Sequence, residues 1–135
     1  MKVSLIAALT LLTPAVALAG SSGPIGKWRT GDGAAQVQIK TCSIGLCGSI
    51  VAAADGGGTD DNNPNPALRG RKLIGLPILS LRQTAENLWS GDVYNAQNGQ
   101  NYNARLTVKS ETAIQIEGCV EGTNVCGAET WTRSK

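Results

Sequence analysis

Residues 88–108 read LWSGDVYNAQNGQNYNARLTV, and their pattern decides the fold class. Trp89, Val93 and Tyr94 lie in a strand-like run, Gln97-Asn98-Gly99 forms a polar break, and a second run follows. Asn-Gly between two such runs is a strong hairpin signal, because both residues tolerate φ > 0. In the second run Tyr102, Ala104, Leu106 and Val108 alternate with Asn103, Arg105, Thr107 and Lys109. A period of two belongs to a sheet with one dry side and one wet side.

The same grammar extends in both directions. Residues 26–30 (GKWRT) form a short first strand, and Gly31-Asp32-Gly33 turns it. Over residues 34–41, Ala35, Val37 and Ile39 alternate with Gln36, Gln38 and Lys40. A tight connection at 42–47 leads to a third strand at 48–54. Residues 73–83 read as a further strand, with Gly75 and Pro77 marking an edge or bulge early in it. Residues 113–120 and 125–133 make a last hairpin across Glu121-Gly122-Thr123-Asn124. It puts Ile114, Ile116, Gly118 and Val120 opposite Val125, Gly127, Glu129 and Trp131 on one face. About eight short strands, and no helix beyond a single turn at 66–69, predict an all-β, single-domain antiparallel fold. A barrel is preferred to a sandwich because closure removes exposed edges. The one long irregular segment, 55–71, is rich in Gly, Asp, Asn and Pro, and such a loop in a small domain is functional or mobile.

The first nineteen residues read as a signal peptide. Lys2 supplies the positive start, residues 3–12 the apolar run, and Ala17-Leu18-Ala19 the cleavage site. The run is too short to span a bilayer, so no transmembrane segment is expected and the domain occupies residues 20–135. The address is periplasmic or secreted. Twelve Lys and Arg against ten Asp and Glu give a net charge of +2, too little to hold nucleic acid or an anionic membrane through a global field. Phe is absent, so Val, Ile, Leu and Ala must build the core around three Trp and two Tyr.

Four cysteines in an exported chain predict disulfides. Zinc is the rival, but the chain has no His and its Cys spacings match no common zinc site. In the last hairpin's register Cys119 and Cys126 leave facing strands on the same side, while Cys42 and Cys47 bracket a turn. The expected pairs are Cys42–Cys47 and Cys119–Cys126. A crossed pairing would have to bring distant strands together, and the sequence leaves it open.

These motifs, in their order and spacing, resemble the bacterial exported family called domain of unknown function 2147, from Gly26 to Arg133. The matching pieces are Gly26-Lys27-Trp28, Cys42…Leu46-Cys47-Gly48 with Ile50-Val51, and Asp60-x-x-Asn63-Pro64. Further on come Leu68-Arg69-x-Arg71-x-Leu73-x-Gly75, Trp89-x-Gly91, Tyr94-Asn95…Gly99-x-x-Tyr102 and Trp131-Thr132-Arg133. The resemblance implies a small lipocalin-like β-barrel and no established activity. Ala53, Asp92, Ala96 and Glu129 depart from the residues usual there. Gly26-x-Trp28 and Arg133 also resemble the lipocalin arrangement, in which a first-strand Trp closes one barrel end under an Arg from the last strand. A guanidinium over an indole gains cation–π energy and seals apolar area.

Catalysis has little to stand on. Without His, the Ser-His-Asp and Cys-His constellations are unavailable, and there is no Gly-x-Ser-x-Gly elbow. No cofactor or metal is expected; the spacing of Asp55, Asp60, Asp61 and Asn63 is not that of a calcium loop. Asp60, Asn63, Arg69 and Arg71 are expected to anchor the long loop. Glu129, if it faces inward with Trp131, would be a buried carboxylate in need of a proton or a partner. The leading expectation is therefore a small exported binding protein. It holds an apolar or amphipathic ligand in the barrel, near Glu129, Trp131, Tyr94 and Tyr102. The alternative is an envelope module that binds a protein or surface polymer through the 55–71 loop.

Overall fold

A computed structural model describes residues 23–135; the expected signal peptide lies outside them. The strands are β1 (Gly26–Arg29), β2 (Ala35–Cys42), β3 (Gly45–Ala53) and β4 (Pro77–Ala85), then β5 (Leu88–Asn95), β6 (Gln100–Val108), β7 (Ala113–Cys119) and β8 (Cys126–Arg133). Each pairs antiparallel with its neighbours in chain order, and β8 returns to β1, closing the barrel. A single 3-10 turn, Pro66–Leu68, interrupts the long loop.

The opening hairpin is β5–β6, as expected, and in its register Val93 faces Tyr102, Gly91 faces Ala104 and Trp89 faces Leu106. Its turn differs in detail. Among its residues only Gly99 takes a positive φ, +73°. Asn98 instead accepts from the Gln100 amide at 3.0 Å and donates to the Tyr102 hydroxyl at 2.7 Å. Gly99 is required for a second reason: a Cβ there would run into the Asn62 carbonyl of the long loop.

Two boundaries move. The β2–β3 connection is a tight turn, because Cys42 pairs with Gly45 and Cys47 lies inside β3 opposite Lys40. The strand expected from residue 73 begins at Pro77. Gly75, with φ +92°, and Pro77, which has no amide donor, break the ladder there. Gly75 and Leu76 still bond to Ile50 across the gap. At the start of β4 the register slips between Gly48–Leu79 and Ser49–Pro77, leaving Ile78 as an extra residue. Such a bulge re-aims a side chain, and here it brings Ile78 against the core.

The core fills only part of the barrel. Trp28, Val37, Ile39, Leu46, Leu79, Leu81, Leu106, Ile114, Ile116 and Trp131 pack together. Most lie towards the end that carries the β2–β3, β4–β5 and β6–β7 turns. Trp28, fully buried, donates from its indole nitrogen to the Pro24 carbonyl at 2.8 Å. Arg133, its register partner, lies over the ring at 4.3 Å and donates to the carbonyls of Ile25, Gly23 and Glu111. One side chain thus ties together the chain entering β1, the β6–β7 turn and the end of β8.

Both disulfides pair locally, Cys42–Cys47 and Cys119–Cys126, and no free cysteine remains among the described residues. By strand alternation both sit on the outside of the sheet. The first staples the closed end and the second the opposite end. They point to folding in an oxidising compartment outside the cytosol.

Candidate functional site

The other end of the barrel is open. The β1–β2, β5–β6 and β7–β8 turns ring its mouth, and below them lies a cavity of about 590 Å³. Its floor is apolar: Val37, Ile50, Ile78, Val93, Ile116 and Trp131. Its rim is polar: Thr30, Asp32, Asn95, Gln97, Tyr102 and Glu129. Small residues make the room. Ala35, Gly118 and Gly127 all line the space, and a Cβ on Gly127 would meet nothing within 4 Å.

The wall is incomplete on one side, for a reason that lies in β1. That strand ends at Arg29 and pairs with β8 only through Trp28–Arg133 and Arg29–Thr132. The rest of β8 has β7 on one side and no strand on the other among the described residues. Every residue from Cys126 to Thr130 is accordingly exposed.

Glu129 sits on this uncovered stretch, which corrects the expectation of a buried carboxylate. It faces the cavity but is exposed. The Trp131 indole nitrogen donates to its Oε1 at 2.7 Å. The carboxylate packs over Gly31, where a Cβ would come within 2.6 Å of Oε2. Trp131 itself is buried in the floor.

Asp32, unremarked in the sequence beyond its place in a Gly-Asp-Gly turn, is the rim's second acid. Its Oδ1 accepts from the Ala34 amide and the Thr30 hydroxyl, each at 2.9 Å, and its Oδ2 from the Gln97 side chain at 2.9 Å. These bonds, the Ala34 amide foremost, hold its carboxyl below the ordinary aspartate value. The Asp–Gly spacing announces a turn; no local pattern could show that Gln97, from a distant hairpin, would reach it.

Tyr102 and Tyr94 both border the cavity, but the Tyr94 hydroxyl is engaged away from it. The pleat that brings Val93 to the cavity turns the Tyr94 ring to the outer face. There its hydroxyl donates to Asp60 Oδ1 at 2.7 Å. Asp60 is fully buried, and its Oδ2 accepts from Asn63 and from the Arg71 guanidinium, each at 2.9 Å. Arg69 donates to the Asn63 carbonyl at 2.7 Å. Asp60, Asn63, Arg69 and Arg71 therefore hold the long loop against the barrel. Asp60 and Arg71 also sit on the two arms of a small ladder, around the bridge between Thr59 and Lys72. Burial alone would raise the Asp60 pKa, but the bonds from Tyr94, Asn63 and Arg71, with the charge of Arg71, outweigh it and lower the value. Burial and the neighbouring Asp60 raise that of Tyr94.

With this geometry in hand, comparisons with known proteins bear on the fold and family. The family model described as "Uncharacterized protein conserved in bacteria (DUF2147)" matches residues 26–133. Among solved structures, the chain is similar to one described as "Protein HP1028 from the human pathogen Helicobacter pylori belongs to the lipocalin family". The two are 21% identical over 82% of each chain, with a TM-score of 0.72, a likeness of fold. No curated protein sequence matches.

Proposed function

The chain belongs to the bacterial DUF2147 family, and on that premise we propose that it is an exported carrier of a small apolar or amphipathic molecule, not an enzyme. The observation that carries this reading is the cavity of about 590 Å³ in the open half of the barrel, apolar below and polar at the rim. Pockets of this size and lining suit small ligands, and the mouths of β-barrels are a common place for them. Small barrels are often filled by their own side chains; here only the Trp28 end is. The disulfides support release to the periplasm or the exterior.

The rival reading, recognition through the 55–71 loop, draws less support. The loop's most distinctive polar side chains bind one another and the barrel, leaving fewer to meet a partner. Native mass spectrometry of protein purified from its own host tests the carrier reading. A retained small molecule, or uptake of the neutral apolar probe N-phenylnaphthylamine, is expected. A bare protein mass together with no uptake of the probe would overturn it.

A further inference from the structure

We infer that the cavity selects an amphiphile with a cationic head group, such as a quaternary ammonium or protonated amine on an apolar chain. The inference rests on the carrier reading and adds the sign of the ligand's charge.

The charges that line the space are of one sign. Asp32 and Glu129 are both on its rim, and no Lys or Arg lines it. Neither acid is neutralised elsewhere. The ion pairs among the described residues are Arg71–Asp60 and Arg105–Glu117. Asp32 is held by an amide, a hydroxyl and a carboxamide, and Glu129 by an indole nitrogen. All of these donors are neutral, so they fix the carboxylates in place and leave their charge at the mouth. A cation entering there gains attraction from both, above an apolar wall that screens less than water. An anion meets repulsion, with no guanidinium or ammonium on the wall to relieve it.

Aromatic rings add to the preference. Trp131 and Tyr102 border the same space, and an indole or phenol face attracts ammonium groups. Below the rim, Val37, Ile50 and Ile116 offer an apolar chain the surface it needs. The chain as a whole carries +2, so its overall field favours anions. A preference for cations would therefore come from the mouth and not from general attraction.

Three probes with one tail separate the possibilities: decyltrimethylammonium, decanol and decyl sulfate, titrated below micellar concentrations by calorimetry. The expected result is that the ammonium probe binds about tenfold tighter than the alcohol, and the sulfate weakest. Glu129→Gln, which removes the charge but keeps a side-chain oxygen to accept from the Trp131 indole, should reduce the preference for the ammonium probe over decanol several-fold. Sulfate binding as tight as ammonium, or a preference untouched by Glu129→Gln, would overturn the charge inference while the carrier reading stands. Failure of all three probes to bind would remove the carrier reading itself, and the inference with it.

Discussion

Asp60 shows how much one residue can decide. A fully buried carboxylate is costly unless it is paired and hydrogen-bonded. Here Tyr94, Asn63 and Arg71 together occupy both of its oxygens. Asp60→Ala would take the acceptor from the Tyr94 hydroxyl and the carboxylate from Arg71, and leave the Asn63 amide only its bond to the Tyr94 hydroxyl. It should cost about 3 kcal/mol, read as a lower midpoint in urea, and make the loop more open to proteolysis. An unchanged midpoint would mean that the network only decorates the loop. The same group sets the acid limb of stability. Its folded pKa lies below the unfolded value of about 3.9, so its contribution is present above that pH and fades as pH falls through the folded value. Asp32 acts in the same window and in the same direction. Tyr94 is the opposite case: its folded pKa is raised above about 10, so its contribution is complete below that pH and is lost as pH rises through the folded value. Melts at graded pH should therefore show Asp60→Asn flattening the loss below about pH 4 and Tyr94→Phe flattening the loss above about pH 10.

At the scale of elements, the weak seam is β8. Two register pairs join it to β1, whereas β5 and β6 share a ladder from Leu88–Thr107 to Asn95–Gln100. Amides along Cys126–Glu129 that face away from β7 should exchange hydrogen much faster than those inside the β5–β6 ladder. Equal protection would mean that something covers this edge. The Cys119–Cys126 staple ties the start of β8, the end that does not pair with β1, to β7, so replacing both cysteines with Ser should lower stability by about 2 kcal/mol without abolishing the barrel. The alternation that predicts this pair is local, which is why the sequence shows it: Gly118 faces Gly127 and Ile116 faces Glu129, as the period of two requires. Strand number and the core face are legible for the same reason. What eludes a local reading depends on distant partners or on chain that stops short. Tyr94 belongs to a strand with aromatic and apolar residues on both faces, so periodicity alone could not choose its side. Glu129 follows the alternation correctly and is nonetheless exposed, because β1 ends too early to cover it. The start of β4 is displaced from residue 73 to Pro77 by a glycine and a proline that the sequence flags, although not by how far.

For the whole molecule, the decisive feature is the division of one barrel into a filled half and a vacant half. Trp28 and Arg133 seal the first, and their stacking lets the core below Trp131 pack without solvent. The second half is bounded by small residues whose neighbours differ in a way that can be tested. A side chain added at Gly118 would press on Tyr102, whose Cβ lies 3.3 Å from the new atom, and on Val93 beside it. A side chain added at Gly127 would enter open space. Gly118→Leu should therefore destabilise the barrel by about 1–3 kcal/mol through overpacking. Gly127→Leu should leave the midpoint nearly unchanged while filling part of the cavity. If the vacancy exists to hold a ligand, Gly127→Leu should weaken N-phenylnaphthylamine binding at least several-fold with folding intact. Calorimetry and thermal melts on the two variants read the two effects separately. Probe binding that survives Gly127→Leu unchanged would place the ligand outside the barrel, and the open half would then be a by-product of a short β1.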